Sequence, residues 1–164
     1  MATSGTRYAL WARMPPRRAG WDYATNGAYF VTSCTYRRAP ALGTVDANGV
    51  RLSRLGLIVE RQLVDVTRDR AGVRLDAWVV MPDHLHFILF IEGEPGMATS
   101  VRTLVAALKA TATSAARRAG VFAIRAPLWQ RSFYDRVIRT EDELRRLREY
   151  IAGNPTRWIL SGRR

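Results

Sequence analysis

Two apolar runs meet at Pro82-Asp83, and only that pair of residues separates them. On the near side, Val73 to Val80 alternates, which predicts a strand with Leu75, Ala77 and Val79 on one face. On the far side, His84 to Ile91 reads His-Leu-His-Phe-Ile-Leu-Phe-Ile, too short and too rich in aromatic and branched residues for a helix. So short a connection demands an antiparallel hairpin, and the second strand is apolar enough to lie centrally in a sheet.

The flanking segments supply the remaining layers. Ala28 to Tyr36, with the run Tyr29-Phe30-Val31-Thr32, predicts a first strand closed by Arg37, Arg38 and Pro40. A connection through Gly43, Asn48 and Gly49 leads to a helix from Ser53 to Arg68, where Leu55, Val59, Leu63 and Val66 form one stripe. After the loop from Gly93 to Gly96, Val101, Leu104, Val105, Leu108 and Ala112 mark a second helix from Ala98 to Arg118. Leu128 to Ile138 predicts a fourth strand. Thr140 with Glu143 three residues on forms a capping box for a third helix, whose inward positions are Leu144, Leu147 and Ile151 and which Gly153-Asn154-Pro155 stops.

The order β, α, β, β, α, β and then a helix predicts an α+β chain: a split βαβ arrangement with an antiparallel sheet, helices on one face and an extra C-terminal helix. Nothing repeats and no low-complexity segment intervenes, so residues 28–164 are expected to form one domain. Residues 1–27 carry Pro15, Pro16, Arg17 and Arg18 without hydrophobic periodicity and read as a basic N-terminal arm.

Basic residues number 26 against 14 acidic, a formal net charge of +12, and Lys109 is the only lysine among them. A surface this rich in guanidinium forks suits phosphate, and nucleic acid leads the expected partners. The single Cys34 excludes an intramolecular disulfide and a cysteine-based metal cluster, and its strand setting makes it a small core residue. No apolar run is long enough to span a bilayer, and Arg13 and Pro15-Pro16 interrupt the N-terminal apolar stretch. The expected location is therefore the reducing cytoplasm, with no membrane partner.

The two histidines of the chain are His84 and His86. Side chains at i and i+2 of a strand share a face, so the pair is spaced to share one divalent ion, while Leu85, Phe87 and Leu89 pack on the other side. A bland reading is two core histidines satisfied by backbone carbonyls. Two imidazoles do not complete a coordination sphere, and the nearest helical pairing of use is Tyr150 with Asn154, at i and i+4, a phenol beside a neutral oxygen ligand. Among the six tyrosines this pairing is peculiar to Tyr150; its plain alternative is a tyrosine covering the core beside a helix stop. Taken together, a metal on His84, His86 and Asn154 would bind a phosphate while Tyr150 attacks it, giving a phosphotyrosine ester and a freed 3′-hydroxyl. Trp129, Phe133, Tyr134 and Trp158 interleave with Arg131, Arg136, Arg139 and Arg157, a pattern for stacking bases and anchoring single-strand phosphates. Phe133 is assigned to the core and Trp158, beyond the third helix, to the surface. Lys109 joins the DNA-binding set, and Arg17, Arg18, Arg37 and Arg38 are expected to clamp a hairpin stem.

Three blocks carry a resemblance: Val80-Met81-Pro82-Asp83-His84-Leu85-His86, then Leu128-Trp129-Gln130-Arg131-Ser132-Phe133-Tyr134-Asp135, then Tyr150-Ile151-Ala152-Gly153-Asn154-Pro155. In this order they closely resemble the signatures of the REP-associated tyrosine transposases. These are domesticated relatives of the transposases of IS200 and IS605 insertion elements, within the HUH single-strand endonucleases. The resemblance implies a ferredoxin-like fold, Mg2+ or Mn2+ on His84 and His86 with Asn154 as third ligand, and Tyr150 as the nucleophile that forms a 5′-phosphotyrosine link. It implies hairpin-forming single-stranded DNA repeats of bacterial genomes as substrate, and an enzyme acting as monomer or homodimer. A split βαβ nucleic-acid-binding domain without chemistry, and a metal-dependent nuclease that uses water, stand as the alternatives.

Overall fold

The computed structural model describes residues 26–93, 99–123 and 125–162; residues 1–25 of the basic arm, with Arg17 and Arg18, lie outside them. The elements in order are β1 (Gly27–Cys34), a short 3-10 turn (Tyr36–Arg38), β2 (Gly43–Asp46), β3 (Gly49–Leu52), α1 (Arg54–Arg68), β4 (Val73–Met81), β5 (His84–Ile91), α2 (Val101–Arg118), β6 (Tyr134–Ile138), α3 (Glu141–Ala152) and α4 (Asn154–Leu160). The main sheet runs β4-β5-β1-β6 with every pairing antiparallel, the split βαβ, ferredoxin-like arrangement that the element order implies.

Side-chain alternation divides the sheet's surroundings into two layers. On one face Tyr29, Val31, Leu85, Phe87, Leu89 and Ile91 pack against Leu55, Val59 and Leu63 of α1 and Leu104, Val105 and Leu108 of α2. On the other face Phe30, Ile88 and Ile138 receive Leu144 and Ile151 of α3. The extra C-terminal helix thus covers the face that α1 and α2 leave.

Strand β4 departs from simple alternation. Leu75 pairs with Leu89 and Trp78 with Phe87, so Asp76 and Ala77 together oppose Ile88, a bulge. Leu75 consequently packs with the α1/α2 layer, whereas Ala77 and Val79 pack with the α3 layer, correcting the single face expected for all three.

Other boundaries shift for local reasons. The expected connection through Asn48 and Gly49 is a hairpin, β2–β3, with Asp46 opposite Gly49 and the Asn48 N–H donating to Asp46 Oδ1 at 2.8 Å. Gly49 takes φ +111°, a conformation that favours glycine. Helix α2 begins at Val101, where Ser100 accepts from the Thr103 N–H at 3.1 Å. Strand β6 starts at Tyr134 rather than Leu128. The preceding segment meets the residue just after β1 through the Thr35–Trp129 bridge, and Lys109 Nζ donates to the carbonyls of Gln130 at 2.7 Å and Ser132 at 2.9 Å.

Thr140 caps α3 as expected, accepting from the Glu143 N–H at 3.2 Å, while Glu143 Oε2 accepts from the Arg139 N–H at 3.0 Å, one residue before the usual position. Gly153 ends α3 at φ −83°, ψ 0°, and α4 follows at once with Pro155 in its first turn.

Candidate active site

Strand β5 delivers both histidines to the α3 side of the sheet. Their rings lie 4.6 Å apart, centroid to centroid, at 72°, and both are buried. Each Nδ1 is engaged: Asp83 Oδ1 lies 2.5 Å from that of His84, and Thr32 Oγ1 lies 2.7 Å from that of His86. The first contact follows from the turn, since Asp83 immediately precedes His84; the second follows from register, since Thr32 of β1 faces His86 across the ladder. A carboxylate at this position accepts from Nδ1, and the uncharged form of the His84 ring then carries its lone pair on Nε2. Such outer partners are what orient metal-ligating histidines.

Burial, then the neighbouring His84 and Arg38 charges, hold His86 well below the usual imidazole range. At neutral pH its ring is uncharged, the form that ligates. Phe30 stacks on this ring at 5.3 Å and 25°, fixing its plane.

Helix α3 brings Tyr150 against the same cluster, its ring 5.3 Å from that of His86 and 6.0 Å from that of Phe30. The turn from α3 into α4 keeps Asn154, which is buried, within hydrogen-bonding reach of the Tyr150 side chain. The expected pairing at i and i+4 is therefore present across Gly153. Burial pushes the phenol pKa up, opposed by the Asn154 hydrogen bond and the charges of Arg157 and Arg38. The Arg157 guanidinium lies 4.8 Å from the Tyr150 ring centroid, and its Nη1 donates to the Tyr150 carbonyl at 3.1 Å.

The donor chemistry fits a divalent cation. Two imidazoles with fixed planes and one carboxamide oxygen leave coordination positions for water or phosphate, as a hard cation such as Mg2+ requires. Among the described residues no three His, Cys, Asp or Glu side chains gather at a metal site.

Residues 28–154, from the start of β1 to Asn154, match the family model described as transposase IS200 like. The chain belongs to the IS200-like transposases. This transposase is 29% identical over 157 residues to an uncharacterized protein of Haemophilus influenzae, the match covering 84% of this chain and 85% of that one. Its fold is similar to that of a REP-associated tyrosine transposase bound to a REP hairpin, with TM-score 0.65, 24% identity and coverage of 88% of this chain and 74% of the other. It is also similar to a putative transposase of Deinococcus radiodurans, with TM-score 0.51, 22% identity and coverage of 85% and 97%.

The residues expected to bind DNA are distributed unevenly on this IS200-like transposase. Arg37, Arg38, Arg131, Arg136, Arg139 and Arg157 are exposed, with Arg136 ion-paired to Glu143. Lys109 is half-buried and committed to the two carbonyls before β6, and its ammonium lies 5.9 Å from the Phe133 ring centroid. Trp129 is buried in the α1/α2 layer, and Phe133 packs against the same layer as assigned. Trp158, expected at the surface, is buried at 8% exposure, because α4 folds back and sets its ring 6.1 Å from that of His84. Asp83 and Thr32 escaped the reading of the sequence. A carboxylate next to His84 was a local signal for the first; no local signal marks the second. No helix among the described residues is long and apolar enough to cross a membrane.

Proposed function

We propose that this transposase is a metal-dependent single-stranded DNA endonuclease and strand transferase, acting on hairpin-forming repeats with Tyr150 as nucleophile. The observation that carries the reading is the meeting, within one chain, of the Tyr150 ring with His86 at 5.3 Å and of its side chain with Asn154. His84, His86 and Asn154 would hold Mg2+ or Mn2+, which when bound supplies Lewis-acid polarisation of a phosphate's P–O bonds. Tyr150 attacks phosphorus as the P–O3′ bond breaks, and the proton lost by the phenol is balanced by the one the departing 3′-oxygen takes up to leave as a hydroxyl. The products are a 5′-phosphotyrosine ester and a free 3′ end, and attack by a 3′-hydroxyl reverses the step without ATP. Asn154, Arg157 and Arg38 favour the phenolate against the cost of burial. The hairpin named for the REP-associated relative, together with the +12 charge of this chain, supports hairpin DNA as partner.

The test is incubation with labelled single-stranded hairpin DNA and Mn2+ or Mg2+, read on a denaturing gel beside Tyr150→Phe and an EDTA control. A slow-migrating adduct that needs both metal and Tyr150 is expected. Metal-dependent cutting without an adduct would make the protein a nuclease that uses water, and binding alone over several hairpins would make it a binding domain.

A further inference from the structure

The turn that follows β1 holds two successive arginines in the left-handed region, Arg37 at φ 53° and Arg38 at φ 58°. Side-chain-bearing residues adopt this backbone at a cost, which the surroundings must offset. Thr35 does so: its N–H donates to the Asp83 carbonyl at 3.0 Å, and its hydroxyl lies 2.9 Å from that carbonyl and 2.8 Å from the Ala39 carbonyl. The turn is thereby tied to the β4–β5 connection that carries His84.

From this turn Arg38 reaches the Asp83 side chain that precedes His84. Its Nε lies 3.2 Å from Asp83 Oδ2, while Asp83 Oδ1 holds His84. Its Nη1 donates to Cys34 Sγ at 2.8 Å. These contacts use two of the five guanidinium N–H groups, and the side chain is still 40% exposed. Asp83 is thus the one side chain between Arg38 and His84, whose ring lies 4.6 Å from that of His86. A cation gripped by a carboxylate, partly open to solvent and one side chain away from His84 is arranged for a small anion arriving at the histidines.

We propose that Arg38 is a catalytic residue that binds a nonbridging oxygen of the scissile phosphodiester, and not a clamp on the hairpin stem. Phosphorus gathers negative charge on those oxygens as Tyr150 attacks, so a pre-oriented guanidinium stabilises the transition state more than the bound substrate. Asp83 prevents the arginine from having to be ordered during the reaction. The inference rests on the reaction proposed above.

Single-turnover cleavage by wild type, Arg38→Ala and Arg38→Lys tests it, with hairpin Kd and the half-saturating Mn2+ concentration measured on the same proteins. For Arg38→Ala the cleavage rate at saturating DNA and metal is expected to fall about 100–1000-fold. Hairpin Kd and half-saturating Mn2+ should each stay within about twofold. Arg38→Lys keeps the charge without the fork and should recover part of the rate, as should guanidinium added to Arg38→Ala. Unchanged rates in both variants would overturn the proposal. So would a weaker Kd with a salt slope reduced by about one unit, the mark of a stem contact. A rate restored simply by raising Mn2+ would also overturn it, because Arg38 would then act through Asp83 on His84. Failure of the underlying reaction looks different: wild type itself would form no adduct, and both readings would fall.

Discussion

Asp83 serves three neighbours from one turn position: Oδ1 faces His84, Oδ2 faces Arg38, and the backbone carbonyl accepts from Thr35. Replacing Asp83 by Asn keeps the shape, removes the charge and allows an amide N–H to face His84 Nδ1. The ring is then free to take the opposite tautomer, which spoils Nε2 as a ligand. Asp83→Asn is expected to weaken Mn2+ binding about 10–100-fold, measured as the metal concentration for half-maximal adduct formation; an unchanged midpoint would separate Asp83 from the metal site. Residue patterns revealed one side of this centre and concealed the other. His84 and His86 stand out because strand alternation alone puts them on one face. Thr32 does not, since its role depends on β1 lying beside β5 in one register, a pairing of residues 54 apart.

Helix α3 is held to the sheet by apolar packing and by an ionic clasp from a neighbouring strand. Arg148, one half-turn before Tyr150, donates from Nε to Asp76 Oδ2 and from Nη2 to Asp76 Oδ1, each at 2.8 Å. The Arg148 bond holds the Asp76 carboxyl below its usual range. A depressed carboxylate stabilises the fold at pH values above its unfolded pKa, and the benefit is lost as pH falls through the lowered folded value. Asp76→Asn is therefore expected to lower Tm by about 2–4 °C at pH 7, the equivalent of about 1 kcal/mol in a chain of this size. The gap from wild type should narrow as the solution is acidified below the ordinary aspartate range, as followed by thermal melts; a gap independent of pH would deny the ion pair its role. The helix itself was legible through Thr140, Glu143 and the stripe of Leu144, Leu147 and Ile151. Less legible were β2–β3, although Asn48-Gly49 is a hairpin signal, and α4, because Asn154-Pro155 reads as a stop and also serves as a start. Trp158 was misassigned for that second reason: its burial depends on the chain turning back toward the sheet.

At the scale of the molecule, the sheet separates the layer of α1 and α2 from a layer that contains the histidines, Tyr150 and Asn154. Because one chain brings Tyr150 to its own His86, mixing a Tyr150→Phe protein with a His84→Ala protein is expected to yield no adduct. Adduct formation in the mixture would show that α3 is exchanged between copies. The division also rests on the bulge at Asp76 and Ala77. The Pro82-Asp83 turn fixes the phase of Trp78 to Met81, and the additional residue slips that phase once, so one strand feeds both layers in succession. Shortening β4 by one residue would turn Val73 and Leu75 away from the α1/α2 layer, even with every other side chain retained. Along this strand, length is itself a structural variable, and an indel there is a graver change than most substitutions.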